Sequence, residues 1–243
     1  MEQVFEQPLM ISPGLCDASG LLAVHEVFRV FMDIAAAHAA VLGCGMKALA
    51  PKKLFWLTVK TGADFTRRPR MGETVRLRTW PEAPGRMRCE RSYEIADRDG
   101  NRLIAGKTEW AVINTETGQL APMADIYPGD LAFTEPTARA AAFARIPDSA
   151  GDFEDYDAYR VKSTDIDLGG HMNNTAYVRA LLGSFSNAAL KEMRIRGMDL
   201  IYRAPCYEGE TLTLSRRKSP EGLDLRMAGE KGTVLLSRIE SEM

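Results

Sequence analysis

The sequence lacks the features that mark several classes of protein. Its four cysteines include no Cys-x-x-Cys pair, so neither a zinc site nor a disulfide framework is predicted. A net charge of -2 leaves no basic excess for binding nucleic acid. No apolar run approaches the length of a membrane span, and the N-terminus lacks the basic start and apolar run of a signal peptide. We therefore expect a cytoplasmic protein with reduced thiols that binds neither membranes nor nucleic acid.

The composition is that of a globular protein. The 243 residues are 45% hydrophobic, which is enough for one large domain or two small ones with a sizeable core. Four prolines and an acidic run lie within residues 121–157, as in a linker between domains. We therefore predict an N-terminal domain at residues 1–120, a linker at 121–157 and a C-terminal domain at 158–243.

The sequence indicates an internal duplication. Asp17-Ala-Ser-Gly20 leads into a helical pattern, and Asp167-Leu-Gly-Gly170 does the same 150 positions later. Arg68-Pro69-Arg70-Met71-Gly72-Glu73-Thr74 resembles Ala204-Pro205-Cys206-Tyr207-Glu208-Gly209-Glu210-Thr211, with the Gly-Glu-Thr motifs 137 positions apart. Two matches in the same order favour two copies of one structural unit over chance similarity.

Hydrophobic periodicity predicts one long helix followed by strands in each copy. The helices are expected at residues 24–42 and 174–194. Strands are expected at residues 4–11, 54–66, 74–80, 86–96 and 102–114, and at 159–163, 198–203, 211–217, 223–228 and 233–239. Strands that follow a single helix without regular βαβ alternation indicate an α+β fold with antiparallel sheets.

Polar residues are densest just before the second helix. Asp167 could simply form a turn or helix cap, as Asp17 would in the first copy. His171 is one of only three histidines, and Leu21 occupies its place in the first copy. Asn173 and Asn174 could simply form a turn or cap the helix. Only the second copy, however, combines Asp, His and Asn. Because His can move a proton or hold a water near neutral pH, these residues are catalytic candidates.

Three further features have weaker support. Cys206 is a candidate nucleophile, although a thiolate needs a nearby base that the sequence does not place. Trp56 is a candidate wall of a substrate pocket, with core packing as the ordinary alternative. The basic clusters at residues 67–70 and 216–218 would attract an acidic carrier protein, if they are more than solvated faces. The spacing of His and Asp predicts no metal site, and we expect no cofactor.

The stretch Asp165-x-Asp167-x-x-x-His171-Met172-Asn173-Asn174-x-x-Tyr177 resembles the signature of the acyl-[acyl-carrier-protein] thioesterases, which release fatty acids from carrier protein in plants and bacteria. Other segments follow in family-like order along nearly the whole chain: Cys16-Asp17, Phe31-Met32-Asp33-Ile34-Ala35, Phe55-Trp56, Arg68-Pro69, Thr79-Trp80-Pro81, Trp110 and Tyr202-Arg203 with Cys206.

This resemblance implies a tandem (double) hotdog fold, in which each half is an antiparallel sheet wrapped around a long helix. It also implies that the second half carries the catalytic residues, Asp167 and His171, and that the first half shapes the acyl pocket. Two positions depart from the plant members, where Asn is common at the place of Gly169 and Glu at the place of Pro205. Either Asp167 and His171 suffice with water, or Asn173 substitutes, or activity is lost.

The function expected from the resemblance is thioester hydrolysis that frees a fatty acid from acyl carrier protein in fatty acid biosynthesis. Asp167 would act as general base or as nucleophile, and backbone N–H groups at residues 173–175 would stabilise the oxyanion. His171 would position the water or the carbonyl. The alternatives are an acyl-CoA thioesterase, a non-catalytic acyl-thioester binder and, less well supported, a hydratase or dehydratase. The expected partner is the acyl carrier protein, with a homodimer as an assembly to be tested.

Overall fold

The computed structural model describes residues 2–149 and 152–241. The chain divides into two compact units, Met1–Ala141 and Ala142–Met243. The segment predicted as a linker is therefore shared between them. Its first part belongs to the first unit, and its last residues begin a strand of the second, at Glu154.

The first unit contains one long helix and a curved run of strands, close to the elements predicted. The helices are α1 (Val24–Val41) and the short α2 (Met46–Leu49). The strands are β1 (Phe5–Met10), β2 (Leu54–Phe65), β3 (Thr74–Pro81), β4 (Cys89–Ala96), β5 (Arg102–Asn114) and β6 (Leu120–Ala121). The principal strands form an antiparallel sheet in the order β1-β3-β4-β5-β2, and β6 pairs with β5.

The sheet of the first unit packs directly against α1. Phe31 on the helix stacks on Tyr93 of β4, with ring centroids 4.5 Å apart. Gly106 lies opposite Tyr93 in the β4–β5 register. A Cβ atom built on Gly106 would stand 2.2 Å from the Phe31 ring, so only glycine allows the ring to approach the strand. The predicted helix face is buried along its length.

The segment after β6 is held on the first unit by side chains that bond its backbone. Trp80 Nε1 donates to the Pro136 carbonyl at 3.0 Å, and Ser92 Oγ accepts from the Ala138 N–H at 2.8 Å. Arg139 is buried and donates from Nε to Asp64 at 2.8 Å. Proline-rich backbone cannot form strand ladders, so side chains of the sheet take over this role.

The second unit repeats the topology of the first. Its helices are α3 (Asn174–Gly183) and α4 (Asn187–Met193). Its strands are β7 (Glu154–Arg160), β8 (Ile195–Tyr202), β9 (Thr211–Ser219), β10 (Gly222–Gly229) and β11 (Gly232–Ser241). Their antiparallel order is β7-β9-β10-β11-β8, which matches the first unit strand for strand. The duplication inferred from sequence is confirmed.

One long helix in the second unit was a wrong prediction. The structure breaks residues 174–194 into α3 and α4. Ser184 Oγ donates back to the Leu181 carbonyl at 2.6 Å, and the Ser186 side chain caps α4 by accepting from the Ala189 N–H. Two serines that compete for backbone groups therefore end one helix and start the next.

Among the described residues, no single helix combines the length and apolar composition needed to cross a membrane. The pair Val24–Val41 and Met46–Lys52, bent by 53°, meets those criteria jointly, by length and composition alone.

The contact between Phe31 and Gly106 provides a test of the packing in the first unit. Gly106→Ala should lower the free energy of unfolding by about 1–3 kcal/mol, because the added methyl group forces the Phe31 ring off the sheet. Chemical denaturation measures the loss. Gly129→Ala, where a Cβ meets nothing within 4 Å, is the control and should leave stability nearly unchanged. Equal stability of the two variants would contradict this account of the packing.

Candidate active site

Asp167 forms a tight turn just before α3. Its N–H donates to the His171 carbonyl at 3.0 Å, and its own carbonyl accepts from the Gly170 N–H at 3.0 Å. Its Oδ1 accepts from the Gly169 N–H at 2.7 Å. This is an Asx turn, in which a short carboxylate satisfies backbone donors that have no partner in a helix or strand.

The first unit contains the same turn at Asp17. Its N–H donates to the Leu21 carbonyl at 2.9 Å, its carbonyl accepts from Gly20, and its Oδ1 accepts from the Ser19 N–H at 2.8 Å. Each hydrogen bond has its counterpart 150 positions later. The turn itself is therefore structural in both units, and any reactivity of Asp167 must come from its surroundings.

Backbone hydrogen bonds also show which residues of the two units correspond in the neighbouring connection between strands. Leu22 N–H donates to the Pro69 carbonyl, and Met172 N–H donates to the Cys206 carbonyl, each at 2.8 Å. Pro69 thus corresponds to Cys206, at the same offset of 137 positions that separates the two Gly-Glu-Thr motifs. Consequently the counterpart of Arg68 is Pro205.

This correspondence shows that Asp17 and Asp167 have different neighbours. In the first unit, Arg68 Nη1 donates to Asp17 Oδ2 and, at 3.1 Å, to the Leu22 carbonyl. Proline has no group that could do this, and no described arginine or lysine forms an ion pair with Asp167. Asp167 keeps the turn but loses the fixed cation that neutralises Asp17.

His171 takes the place that Arg68 has in the first unit. Its Nδ1 lies 3.9 Å from Asp167 Oδ1 and 3.5 Å from the Met172 carbonyl, the counterpart of Leu22. The side chains of His171 and Asp167 are 28% and 26% exposed, so both are accessible to a ligand. A titratable imidazole therefore replaces a permanent guanidinium beside the same carboxylate. The structure brings these two predicted residues together.

The two asparagines act mainly at the start of α3. Asn173 is the N-cap: its Oδ1 accepts from the Thr175 N–H and hydroxyl, both at 2.8 Å. The Asn174 carbonyl accepts from the Tyr202 hydroxyl at 3.1 Å. A catalytic role for either stays a prediction, and the Oδ1 atom of Asn173 is already used by the helix.

The predicted oxyanion donors are wrong for two of the three residues. The Asn173 N–H donates to the Asp165 carbonyl, and the Thr175 N–H donates to the Asn173 side chain, both at 2.8 Å. Helix capping and loop closure occupy groups that sequence alone presents as free.

Asp165 organises the loop, a role that the sequence did not reveal. Its carboxylate is 1% exposed and accepts from Tyr159 Oη at 2.7 Å, the Lys162 N–H at 2.9 Å and Arg179 Nη2 at 2.8 Å. Burial by itself raises the pKa of this carboxyl, but the hydrogen bonds and the Arg179 charge outweigh it and lower the pKa. Lys162-x-x-Asp165 is not a capping-box sequence, because a lysine side chain cannot accept a hydrogen bond, so the sequence carried no local signal for this role.

Cys206 lies in the core of the second unit. It is 0% exposed, and burial raises the pKa of its thiol, with a hydrogen bond from Tyr177 opposing the shift. Its backbone carbonyl anchors Met172 and thus the motif. These observations favour a structural cysteine over a thiolate nucleophile.

Trp56 lies in an aromatic cluster in the first unit. Its Nε1 donates to the Cys44 carbonyl at 2.8 Å, and its ring meets Trp110 edge-on at 5.9 Å between centroids. Tyr127 lies 6.1 Å away on another side. Contact with substrate stays a prediction for Trp56.

A buried polar pair lies on the inner side of the first sheet. Arg91 Nη1 lies 3.0 Å from His38 Nδ1, and both side chains are almost fully buried. Burial, together with the Arg91 charge, lowers the pKa of His38 to about 4. His38 is therefore a neutral acceptor in the physiological range.

The basic clusters are largely neutralised within their own units. Arg67 pairs with Glu73, Arg68 with Asp17, Arg216 with Glu154, and Arg217 with Asp152 and Asp224. They offer less net positive potential to an acidic partner than their sequence suggests.

In the part of the chain that the structure describes, no group of three or more His, Cys, Asp or Glu side chains could hold a metal ion.

Comparison with known proteins identifies the family that has this architecture. Residues 2–128 match the acyl-ACP thioesterase N-terminal domain, and residues 150–235 match the C-terminal domain. The chain belongs to the acyl-ACP thioesterase family. The match covers both units in the order expected from the duplication, and it confirms the resemblance carried by the motif around Asp167.

Plant members of the acyl-ACP thioesterase family are distant relatives in sequence. The chain is 21% identical to oleoyl-acyl carrier protein thioesterase 2 of Arabidopsis thaliana over 89% of its own length. It is 22% identical to the palmitoyl-acyl carrier protein thioesterase of the same plant over 95% of its length. It spans 64% and 58% of these two relatives.

Solved structures of the family share the fold. An acyl-ACP thioesterase from Bacteroides thetaiotaomicron superimposes with a TM-score of 0.87 at 21% identity, over 99% of this chain and 98% of that one. The 12:0-ACP thioesterase from Umbellularia californica gives 0.83 at 18% identity, over 100% and 98%. The predicted α+β, tandem hotdog fold is confirmed.

The Asp165 carboxylate should make stability depend on pH. Its folded pKa lies below the unfolded one, so its contribution is present above the unfolded value of about 4 and is lost as pH falls through the folded value. Asp165→Asn should therefore destabilise the protein by about 2 kcal/mol near neutral pH and by less at acidic pH.

Denaturant titrations of both proteins at several pH values measure this difference. Asp99→Asn, at an exposed turn, serves as the control and should show no comparable loss. A difference between wild type and Asp165→Asn that stays constant from neutral pH down to below 4 would contradict the proposed role of the charge.

Proposed function

We propose that this protein hydrolyses acyl-[acyl carrier protein] thioesters to free fatty acids, with Asp167 and His171 of the second unit at the reaction centre. Membership in the acyl-ACP thioesterase family supports the reaction class. The single observation that supports the site is that proline, at position 205, replaces the arginine that pairs with the aspartate in the first unit. Asp167 is therefore accessible and lies beside an imidazole.

Asp167 acts as a general base in this proposal. Its Oδ1 is held by the Gly169 N–H, so the orientation of the carboxylate is fixed before substrate arrives. A water molecule gives one proton to the carboxylate while its oxygen bonds to the thioester carbonyl carbon. The carbon–sulfur bond then breaks, and the thiol of the carrier leaves with a proton, which restores the Asp167 carboxylate.

His171 orients the reacting groups. Its ring lies between the Asp167 carboxylate and the Met172 carbonyl, which limits its rotation. From that position a ring N–H can donate to the attacking water or to the thioester carbonyl. The acyl chain is expected to contact apolar and aromatic side chains of the first unit, with Trp56 as the candidate proposed from sequence. Each buried CH₂ would contribute roughly 0.8 kcal/mol to binding.

Loss of the base tests this assignment. Asp167→Asn should lower the turnover of palmitoyl- and oleoyl-acyl carrier protein by about 10²–10⁴-fold, because an amide cannot accept the proton. The measurement is release of the free carrier thiol at saturating substrate. The amide keeps an oxygen for the Gly169 N–H, so the fold should hold.

Asp17→Asn is the matched control for this test, since it alters the same turn in the first unit. It should cost stability, through the lost Arg68 pair, but spare turnover per folded molecule. Parallel assays with acyl-CoA separate a carrier-protein enzyme from a CoA thioesterase. Tight binding of acyl thioester with no thiol release by the wild type would identify a non-catalytic binder and end the proposal.

Cys206 offers a second check on the mechanism. Cys206→Ala should retain turnover within a few-fold, because a buried thiol with a raised pKa supplies little thiolate. Thiol-release kinetics and circular dichroism together distinguish chemistry from folding. A folded variant with turnover reduced as far as Asp167→Asn would show that the cysteine is the nucleophile.

A further inference from the structure

Arg91 is a buried cation that pairs with no carboxylate of the described chain. It is 3% exposed, and both of its hydrogen bonds start from Nη1, to His38 Nδ1 at 3.0 Å and to Thr79 Oγ1 at 3.2 Å. Neither partner is an anion, because His38 is neutral. A guanidinium stays protonated in proteins, and burying a charge is costly unless an opposite charge compensates it. The positive charge of Arg91 therefore requires an anion that the described residues do not provide.

The ionisable side chains around Arg91 are neutral as well. Burial raises the pKa of the Cys89 thiol to about 11, and the Arg91 charge opposes this shift only in part. Burial also raises the pKa of the Tyr93 and Tyr127 hydroxyls, again against the charge of Arg91. None of these groups is ionised near neutral pH, so none can serve as the counter-ion.

Two hydrogen-bond donors beside Arg91 lack acceptors. The Tyr93 Oη and Trp110 Nε1 atoms are buried, and neither has a hydrogen-bond partner among the described residues. Arg91 and Tyr93 stand two positions apart on β4, so their side chains share one face of the sheet. Trp110 on β5 pairs with Cys89, which is two positions before Arg91 on that same face. Because buried polar groups are nearly always paired in native proteins, an acceptor from outside the chain is expected here.

A carboxylate on an apolar chain has the chemistry that this group of donors lacks. Water and alcohols offer an acceptor oxygen without charge, whereas the two oxygens of a carboxylate match the planar fork of a guanidinium. The neighbouring side chains are apolar: Cys89 belongs to a buried core cluster against which the partly exposed rings of Trp56, Trp110 and Tyr127 pack. A charged head group would thus meet Arg91, and an apolar tail would meet aromatic rings.

We infer that Arg91, together with Tyr93 and Trp110, binds the carboxylate of a free fatty acid, whose chain contacts the aromatic side chains of the first unit. The choice of a fatty acid rests on the proposed function, because that reaction releases one. The need for an anion rests on the buried cation alone. A fatty acid bound here would occupy the aromatic side chains proposed to contact the acyl chain of the substrate, so the product would compete with the next substrate.

Binding can be measured without turnover. All three tryptophans of the chain, at positions 56, 80 and 110, belong to the first unit, so their fluorescence reports on this unit. Dodecanoate, kept below its critical micelle concentration, should change this fluorescence in a saturable way. Dodecanol has the same chain without the charge and should bind at least about 10-fold more weakly, because it cannot pair with the guanidinium.

Arg91→Met tests the role of the cation, since it keeps an unbranched apolar side chain and removes the charge. It should weaken dodecanoate binding at least about 10-fold and leave dodecanol binding unchanged. Because it removes an uncompensated buried charge, its unfolding midpoint should stay near that of wild type or rise. Arg98→Met makes the same substitution at the exposed turn between β4 and β5, and this control should change neither binding nor stability.

Tyr93→Phe is a second, milder variant. It removes only the hydroxyl group, which has no partner to lose in the free protein, so the unfolding midpoint should not fall. Dodecanoate binding should weaken by about 3- to 10-fold through loss of one hydrogen bond to a charged group. This variant tests the site even where Arg91→Met does not fold.

The inference is overturned if dodecanoate does not bind to wild type, if dodecanol binds equally well, or if Arg91→Met binds dodecanoate like wild type. It is also overturned if Arg91→Met loses stability and Tyr93→Phe keeps full dodecanoate binding, since Arg91 would then be a structural cation. A protein that binds dodecanoate through Arg91 but releases no thiol defeats the proposed function alone. An active thioesterase that does not bind dodecanoate defeats this inference alone.

Discussion

The hydrogen bond from the backbone to an aspartate side chain, at the turn before each main helix, is the constraint on which the rest of the structure depends. It sets the path of the chain into α1 and α3, next to the Leu22 and Met172 N–H groups that bond the connections at Pro69 and Cys206. The same backbone hydrogen bonds form in both units, so the turn does not depend on the side chains that differ between them. Chemistry is then decided by the few side chains around the carboxylate.

Those side chains differ in a way that changes the electrostatics and leaves the geometry intact. Arg68 bonds both the carboxylate of Asp17 and the Leu22 carbonyl, which gives a neutralised, static turn. In the second unit a proline stands where that arginine would be, and His171 approaches the two corresponding groups from within the turn. In the proposed mechanism, this replacement of a guanidinium by an imidazole leaves the Asp167 carboxylate available to accept a proton.

Sequence patterns predicted the repeated architecture well because duplicated turns and hydrophobic faces leave local signals. They placed α1 and most strands within a few residues, but they put β7 at residues 159–163, where the structure has Glu154–Arg160, and they missed β6. The catalytic roles of Asp167 and His171 stay predictions. Sequence patterns failed where the outcome depends on competition for hydrogen bonds. The helix break at Ser184–Ser186, the occupied N–H groups of Asn173 and Thr175 and the buried Asp165 cluster each depend on partners that only the folded chain supplies.

Pro205 occupies the position in the second unit that Arg68 occupies in the first, and two opposing requirements meet at this position. In the proposed mechanism Asp167 must keep an unpaired carboxylate to act as base, whereas a cation at 205 that reached it would neutralise it, as Arg68 neutralises Asp17. Selection for stability alone would then favour a basic residue at 205, and selection for the proposed hydrolysis would disfavour one. Position 205 is thus where stability and the proposed chemistry place opposite requirements on one side chain.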